Sequence, residues 1–347
     1  MDFTFPETAD DARGLARDIA TTISTPARVA TLEESDAPID AELWRELGTA
    51  GLLGLEVPAT IAGERGGDLG AVENSVVAEE LGRTLARVPF AAHACAAVPV
   101  LATRASDALQ TSLLHDAAGG DAIVTVAFEE DLGVDAGAPT AGARITDDGV
   151  ILDGTKVNVP YATAAHFLLV NATGPDGPIA VVVPADAPGV RITGTSSTGK
   201  TPVSEVELAD VMVDADQVLV GGAAAVRDVA ERFTLAICAE QSGVVSRALE
   251  LTADYARERE QFGRAIGSFQ AVKHSCADMM IEIDATRAAV MFAAMSAVDP
   301  DELRITAPLV KAQAADTFTL CAGAAFQVHG GIAFTWEHDM HLYFRRA

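Results

Sequence analysis

The spacing of apolar positions changes twice along the chain. Over residues 8–118 it is helical. Residues 41–52, AELWRELGTAGL, place Leu43, Trp44, Leu47 and Leu52 close to an i, i+3, i+4 pattern, and residues 70–87 repeat it. A Gly/Pro-rich stretch, EVPATIAGERGGDLG, connects the two, and the Ala- and Leu-rich run that follows ends at HDAAGGD, a stop signal. From Ala122 to about Val220 the period drops to two. AIVTVAFEE, GARITDDGVILDG, KVNVPYA, HFLLVNA, PIAVVVPA, VRITGT and VSEVELADVMV are short Val- and Ile-rich runs separated by Gly, Pro, Asp and Asn. They predict an antiparallel sandwich or barrel, with TDDG at 146–149 as a tight hairpin. From Gly221 the helical period returns in three long blocks, 223–256, 268–297 and 302–329, broken by QFGRAIGSF and by VDPDEL. The expected fold is therefore α+β and multidomain. It has an N-terminal helical domain over 1–118, a central antiparallel β-domain over 119–220 and a C-terminal helical bundle over 221–347.

Composition narrows the function. With 49% apolar and 21% charged residues the chain is neither disordered nor fibrous. No run approaches the ~20 uncharged apolar residues of a membrane span. The acidic start, MDFTFPETADDARG, lacks a basic-then-apolar leader, so a cytoplasmic protein is expected. The formal charge of −26 repels phosphate backbones and anionic lipid. An anionic nucleotide cofactor needs local arginines and helix N-termini to be held at all. Cys95, Cys238, Cys276 and Cys321 have no CxxC spacing and read as small buried hydrophobes, and the seven histidines show no metal-ligand pattern. His338 and His341, three apart, lack a third partner at recognisable spacing.

Two segments carry the candidate chemistry. In residues 255–279, YAREREQFGRAIGSFQAVKHSCADM, a helix ends near Gln261, Gly263 and Gly267 make a turn, and Ser268 is expected to cap a new helix. Arg257, Arg259 and Arg264 cluster there in an otherwise acidic protein. Such a turn suits a diphosphate; it is equally an ordinary helical hairpin with solvated arginines. In residues 325–347, AFQVHGGIAFTWEHDMHLYFRRA, Gly330-Gly331 terminates a long helix, and Phe334, Trp336, Tyr343 and Phe344 gather many of the scarce aromatics.

Taken together, Tyr255…Arg259-Glu260-Gln261-Phe262-Gly263…Ile266…Phe269-Gln270…His274 and Gln327-x-His329-Gly330-Gly331…Phe334-Thr335 resemble the two signatures of the acyl-CoA dehydrogenase family, in order and ~60 residues apart. The ending HGGIAFTWEHDMHLYFRRA looks most like the actinobacterial branch acting on steroid side chains and other bulky acyl-CoA esters. The resemblance implies FAD-dependent removal of two hydrogens across Cα–Cβ of an acyl thioester to give the trans-2-enoyl-CoA. A carboxylate takes the α-proton, the flavin takes the β-hydride, and electron-transfer flavoprotein is the implied acceptor. It assigns Arg259 to the FAD diphosphate and Phe262, Phe269 and Gln270 to the adenosine half. Gln327, Gly330 and Gly331 fall on the loop that reaches FAD bound mainly to a neighbouring subunit, so a homo- or hetero-oligomer is implied.

The chain departs from the family pattern in three places. Asn158 and Pro160 stand where many members have Trp and Thr. Glu129 places a carboxylate near the flavin's polar edge. Phe233 stands where some members carry the base, and most others carry it beyond the RRA-like stretch, where this sequence ends. Glu240, seven residues on and on the same helical face, becomes the candidate base, because burial in so apolar a stretch raises a carboxylate pKa. The alternatives are Glu231, on another face, and a Glu240 that is merely satisfied by an arginine. Three functions follow: an FAD-dependent acyl-CoA dehydrogenase; a non-catalytic or half-site subunit completing a partner's FAD site; and another flavin oxidase or monooxygenase on the same scaffold.

Overall fold

The computed structural model describes residues 5–35, 37–131 and 135–347. The N-terminal part is helical: α1 (Glu7–Ile23), α2 (Pro26–Glu33), α3 (Ala41–Thr49), α4 (Ala59–Ala62), α5 (Ala71–Arg83), α6 (Val98–Arg104) and α7 (Asp107–Gly119), with a π-helical turn over Ala91–Ala97 before α6. Local chemistry sets the boundaries. Asp40 accepts from the Leu43 N–H at 3.1 Å and starts α3, whose Leu43, Trp44 and Leu47 are buried. Ser106 does the same for α7, and Gly120, in the left-handed region, ends it. His93, in the π-turn, accepts the Val124 N–H at Nδ1 (3.0 Å) and donates from Nε2 to the Ala117 carbonyl (2.9 Å). Its burial pushes it down to about 4, so a neutral imidazole bolts the helical part to the first strand.

The middle is a curled sheet of β1 (Val124–Ala127), β2 (Gly142–Thr146), β3 (Gly149–Pro160), β4 (Phe167–Gly174), β5 (Gly177–Pro184), β6 (Val190–Thr195) and β7 (Val203–Val213), in the order β1-β4-β2-β3-β7-β6 with β5 also on β4. The 146–149 hairpin is present, pairing Thr146 with Gly149. The sheet is mixed rather than wholly antiparallel: β1 runs parallel to β4, and β2 touches β4 in parallel at Gly142–Thr173. Alternation along each strand cannot reveal this, because it reports only which face is buried and not which strand lies alongside.

The rest is a bundle of α8 (Ala223–Glu258), α9 (Gln270–Ser296) and α10 (Pro300–His329), closed by the short α11 (Met340–Arg346). The helix after the 259–268 turn is capped by Phe269, not Ser268, whose hydroxyl instead donates to the Ala265 carbonyl at 2.7 Å inside a 3-10 turn. Cys95, Cys238 and Cys321 are buried, whereas Cys276 is only half-buried. No helix of the described residues is long and apolar enough to cross a membrane.

The N-terminal helices and the bundle meet where α5 crosses α8. Gly82 and Gly243 allow backbone-to-backbone contact: a methyl group on Gly82 would strike the Glu240 carbonyl, and one on Gly243 the Glu79 carbonyl. Ion pairs surround the crossing, with Arg13 on Glu79 at 2.9 Å and Arg287 on Glu79 at 2.7 Å. The middle of α8 is thus the most tightly positioned part of that helix.

Candidate functional site

The two signature segments come together at one end of the bundle. Arg259 is extended at the end of α8, and a two-residue turn then joins Glu260–Gln261 to Arg264–Ala265. Both turn residues, Phe262 (φ 55°) and Gly263 (φ 79°), have left-handed backbone, the geometry a tight hairpin demands. For Phe262 that conformation is strained, and its ring is 93% exposed. Within this chain the ring gains little burial to offset that strain. Phe269 packs edge-on against Phe262 at 6.2 Å and carries the Arg264 guanidinium over its face at 4.1 Å. Arg259, Gln270 and Gln327 are exposed beside them.

At the other segment, Gly330 takes φ 63° and ends α10. Tyr255, one turn before Arg259, stacks on His329 at 4.6 Å and so ties the segments together. His338 also lies against His329 at 4.6 Å and accepts the Met340 N–H at 3.1 Å, while His341 donates to the His338 carbonyl at 2.8 Å. The closely spaced histidines therefore build the turn. Phe334 and Trp336 stand 78% and 76% exposed on the same end. An open glycine backbone, a guanidinium and exposed rings are chemically suited to a diphosphate and an adenine ring.

A second site lies halfway along α8. A partly open cavity of about 160 Å³ is bordered by α5, the residues before and within the π-turn, the end of β3, α8, α10 and α11. Its walls include Leu81, Val88, Ala92, Ile237, Val244 and Phe318, and its polar lining includes Tyr161, Glu240, Gln241 and Arg346. Burial pushes Glu240 up to about 7, and the charge of Arg346 only partly offsets this. Glu240 makes no hydrogen bond or ion pair with any described residue, so a carboxylate with a near-neutral pKa opens into an apolar pocket. Burial likewise pushes Tyr161 up to about 12, keeping its phenol neutral. Phe233 lines the same cavity as Glu240.

Glu231 is elsewhere. It lines an open groove between α8, α10 and residues 135–137, together with Arg227, Arg304 and Lys311. Burial raises its pKa, helped by Asp228 and opposed by Arg227 and Arg304. The three cations share this groove with the carboxylates of Asp135 and Glu231, leaving it a small excess of positive charge in a protein of charge −26. This groove has no sequence signature, because its basic residues lie on two helices up to 84 positions apart, although Lys311 is one of only four lysines.

The strand edge that bears the family's flavin-facing positions is built differently. Asn158, at a bulge in β3 with φ 51°, donates from Nδ2 to Glu129 Oε1 at 3.0 Å. Behind it Lys156 is fully buried, donating to Glu130 at 2.6 Å and to Asn171 at 2.7 Å. Burial pushes Glu130 up, but Lys156, the Thr140 hydroxyl and the Thr140 and Ala141 N–H groups outweigh it and bring it to about 2. The conspicuous lysine of this strand thus ties Glu130 to Asn171, and the Glu129–Asn158 pair is exposed.

Residues 6–121 match the model for the acyl-CoA dehydrogenase N-terminal domain, and residues 221–347 match that for the C-terminal domain. Acyl-CoA dehydrogenase FadE27 of Mycobacterium tuberculosis is 35% identical over all of this chain and 93% of its own length. Acyl-CoA dehydrogenase IpdE2 of the same organism is 30% identical over 99% of the chain and 92% of the relative. Among solved structures, a chain of the ChsE4-ChsE5 complex from M. tuberculosis superposes with a TM-score of 0.93 at 35% identity, covering 100% of this chain and 93% of that one. A chain of the Tcur3481-Tcur3483 steroid acyl-CoA dehydrogenase variant gives 0.92 at 38% identity, covering 98% and 91%.

Proposed function

The chain belongs to the acyl-CoA dehydrogenase family, and on that premise we propose that it converts a bulky acyl-CoA ester, such as one with a steroid side chain, to the trans-2-enoyl-CoA, assembled with a second chain of the same family. FAD, the family's cofactor, supplies the hydride acceptor for Cβ. The observation that carries the reading is the unpaired Glu240 carboxylate, raised to about 7, in the cavity beside the end of β3.

The geometry supports the following roles. Arg227, Arg304 and Lys311 take the phosphates of CoA in the open groove. Phe233 and Thr234, consecutive on α8, line the cavity and the groove respectively, so one helix turn orients the thioester between them. The Cα–H bond breaks toward Glu240, which holds the proton. Apolar walls keep bulk water away, so a carboxylate of near-neutral pKa remains basic enough to act. Arg259, Phe262, Phe269, Gln270, Gln327, Gly330 and Gly331 grip the adenosine and diphosphate of FAD seated mainly on the partner.

One observation favours a second reading. Asn158 and Pro160 stand where many members have Trp and Thr, Glu129 lies beside them, and Phe233 stands where some members carry the base. A half-site subunit, completing the partner's FAD site without turning over substrate itself, has that appearance. Purification alone and with chains from neighbouring reading frames, with 450 nm absorbance per chain, separates the readings. Flavin at one per chain together with bleaching by acyl-CoA supports catalysis. Flavin at half occupancy, bound only in the mixed assembly, supports the half-site.

A further inference from the structure

We propose that Arg346 forms a carboxylate receptor at the far end of the Glu240 cavity, so that the substrates are thioesters of diacids rather than of plain alkyl acids. The inference rests on the dehydrogenation reading of the same cavity. Arg346 lines that cavity with Glu240 and Tyr161, and it is only half-buried, so its guanidinium is open to a ligand. Its neighbour Arg345 is held by Glu33 at 2.6 Å, whereas the Arg346 guanidinium forms no hydrogen bond or ion pair with any described residue. Acidic residues outnumber basic ones 50 to 24, so an arginine without a carboxylate is an exception in this chain. Arg87, half-buried beside it, is another: its Nη1 donates to the Lys200 carbonyl at 2.9 Å, and it has no carboxylate partner among the described residues. The Arg346 charge acts on Glu240, Tyr161 and Arg87 alike, which places the guanidinium among the three. Arg345 and Glu33 offset each other, so Arg87 and Arg346 together outweigh Glu240.

The fold sets the order along the cavity. Its α8 wall runs from Phe233 to Val244, roughly 16 Å at the helical rise. The helix α11 meets α8 beyond Val244, where the Tyr343 hydroxyl donates to the Arg83 carbonyl at 3.0 Å and also bonds Arg247. Arg346, one turn after Tyr343, therefore stands at the end opposite Phe233. A thioester seated by Phe233 sends its acyl chain past Glu240, between Leu81, Val88, Ile237 and Val244, toward Arg346. A guanidinium has donors only, so it calls for an acceptor, and a carboxylate matches both its charge and its fork of N–H groups. A hydroxyl or oxo group leaves the charge uncompensated, an ammonium is repelled, and an alkyl end covers the guanidinium without a partner. The phosphates of CoA carry the same anionic oxygens. They lie beyond the thioester, however, on the side of the Arg227, Arg304 and Lys311 groove.

The test uses the holoenzyme purified with its partner and its FAD. Affinities of hexanoyl-, octanoyl- and decanoyl-CoA and of the matching adipoyl-, suberoyl- and sebacoyl-CoA are measured by calorimetric titration. At least one diacid ester should bind roughly tenfold tighter than its monoacid counterpart. Arg346→Met should abolish that ratio and Arg346→Lys should keep part of it. FAD content and Tm report whether the variants fold, and Arg346→Gln serves if the Met variant does not. Equal affinities within every pair, or tighter binding of the monoacid esters, would overturn the proposal. So would a diacid preference that survives Arg346→Met: with affinities unchanged the carboxylate is read elsewhere, and with both members of each pair weakened alike the guanidinium serves the phosphates of CoA. Flavin bleaching is scored separately. A diacid preference that depends on Arg346, with no bleaching by any ester, upholds the ligand class and counts instead against dehydrogenation.

Discussion

The tip of the bundle, where α8 ends, and the middle of α8 are built on opposite principles. At the tip, Phe262 is strained and solvated, and Arg259, Gln270 and Gln327 face outward. At the middle, Gly82 and Gly243 press two backbones together, and Glu240 opens into an apolar cavity. The tip leaves its motif residues in solvent, whereas the middle is packed by this chain. Exposed motif residues tolerate backbone strain at a turn, whereas a group tuned by desolvation must be surrounded by its own fold.

The comparison can be broken by separating the two regions with substitutions. Glu240→Gln keeps the shape of the cavity and removes the basicity. Bleaching by acyl-CoA should fall ~10²-fold or more, while FAD content stays unchanged. Wild-type bleaching in that variant would move the base to the partner chain. Arg259→Ala acts only at the tip. It removes a charge-assisted contact of about 1.5–3 kcal/mol, so FAD dissociation should rise roughly 10- to 150-fold with the Tm of the apoprotein unchanged. Full flavin retention at wild-type dilution would contradict it.

Gly243→Ala sharpens the contrast from the other side. Its methyl group has no room at the α5–α8 crossing, so chemical denaturation should show a loss of roughly 1–3 kcal/mol. The tip, many turns away, should keep its FAD affinity. The mildest effect is that of pH. Because burial raises Glu240 to about 7 and the base must be ionised, bleaching should slow about tenfold per pH unit below 7 and level off above it. A profile flat from pH 5 to 8 would remove Glu240 from the proton-transfer step.

Much of this was legible in the chain before any coordinates. The switch from period 3.6 to period 2 and back located the three blocks, since amphipathic elements must bury one face whatever the topology. Glycine and arginine punctuation marked the turn at 259–267, because left-handed backbone and anion contacts demand particular residue types. What stayed hidden was everything that depends on which elements lie side by side. Strand alternation could not show that β1 and β4 run parallel. Helical spacing put Glu240 and Phe233 on one face but could not show that Tyr161 and Arg346 close the pocket around them. The groove of Arg227, Arg304 and Lys311 exists only because α8 and α10 pack together. Local periodicity determined the elements and their turn chemistry, because both arise from neighbours in sequence. Tertiary packing decided desolvation and charge convergence, because these depend on neighbours in space.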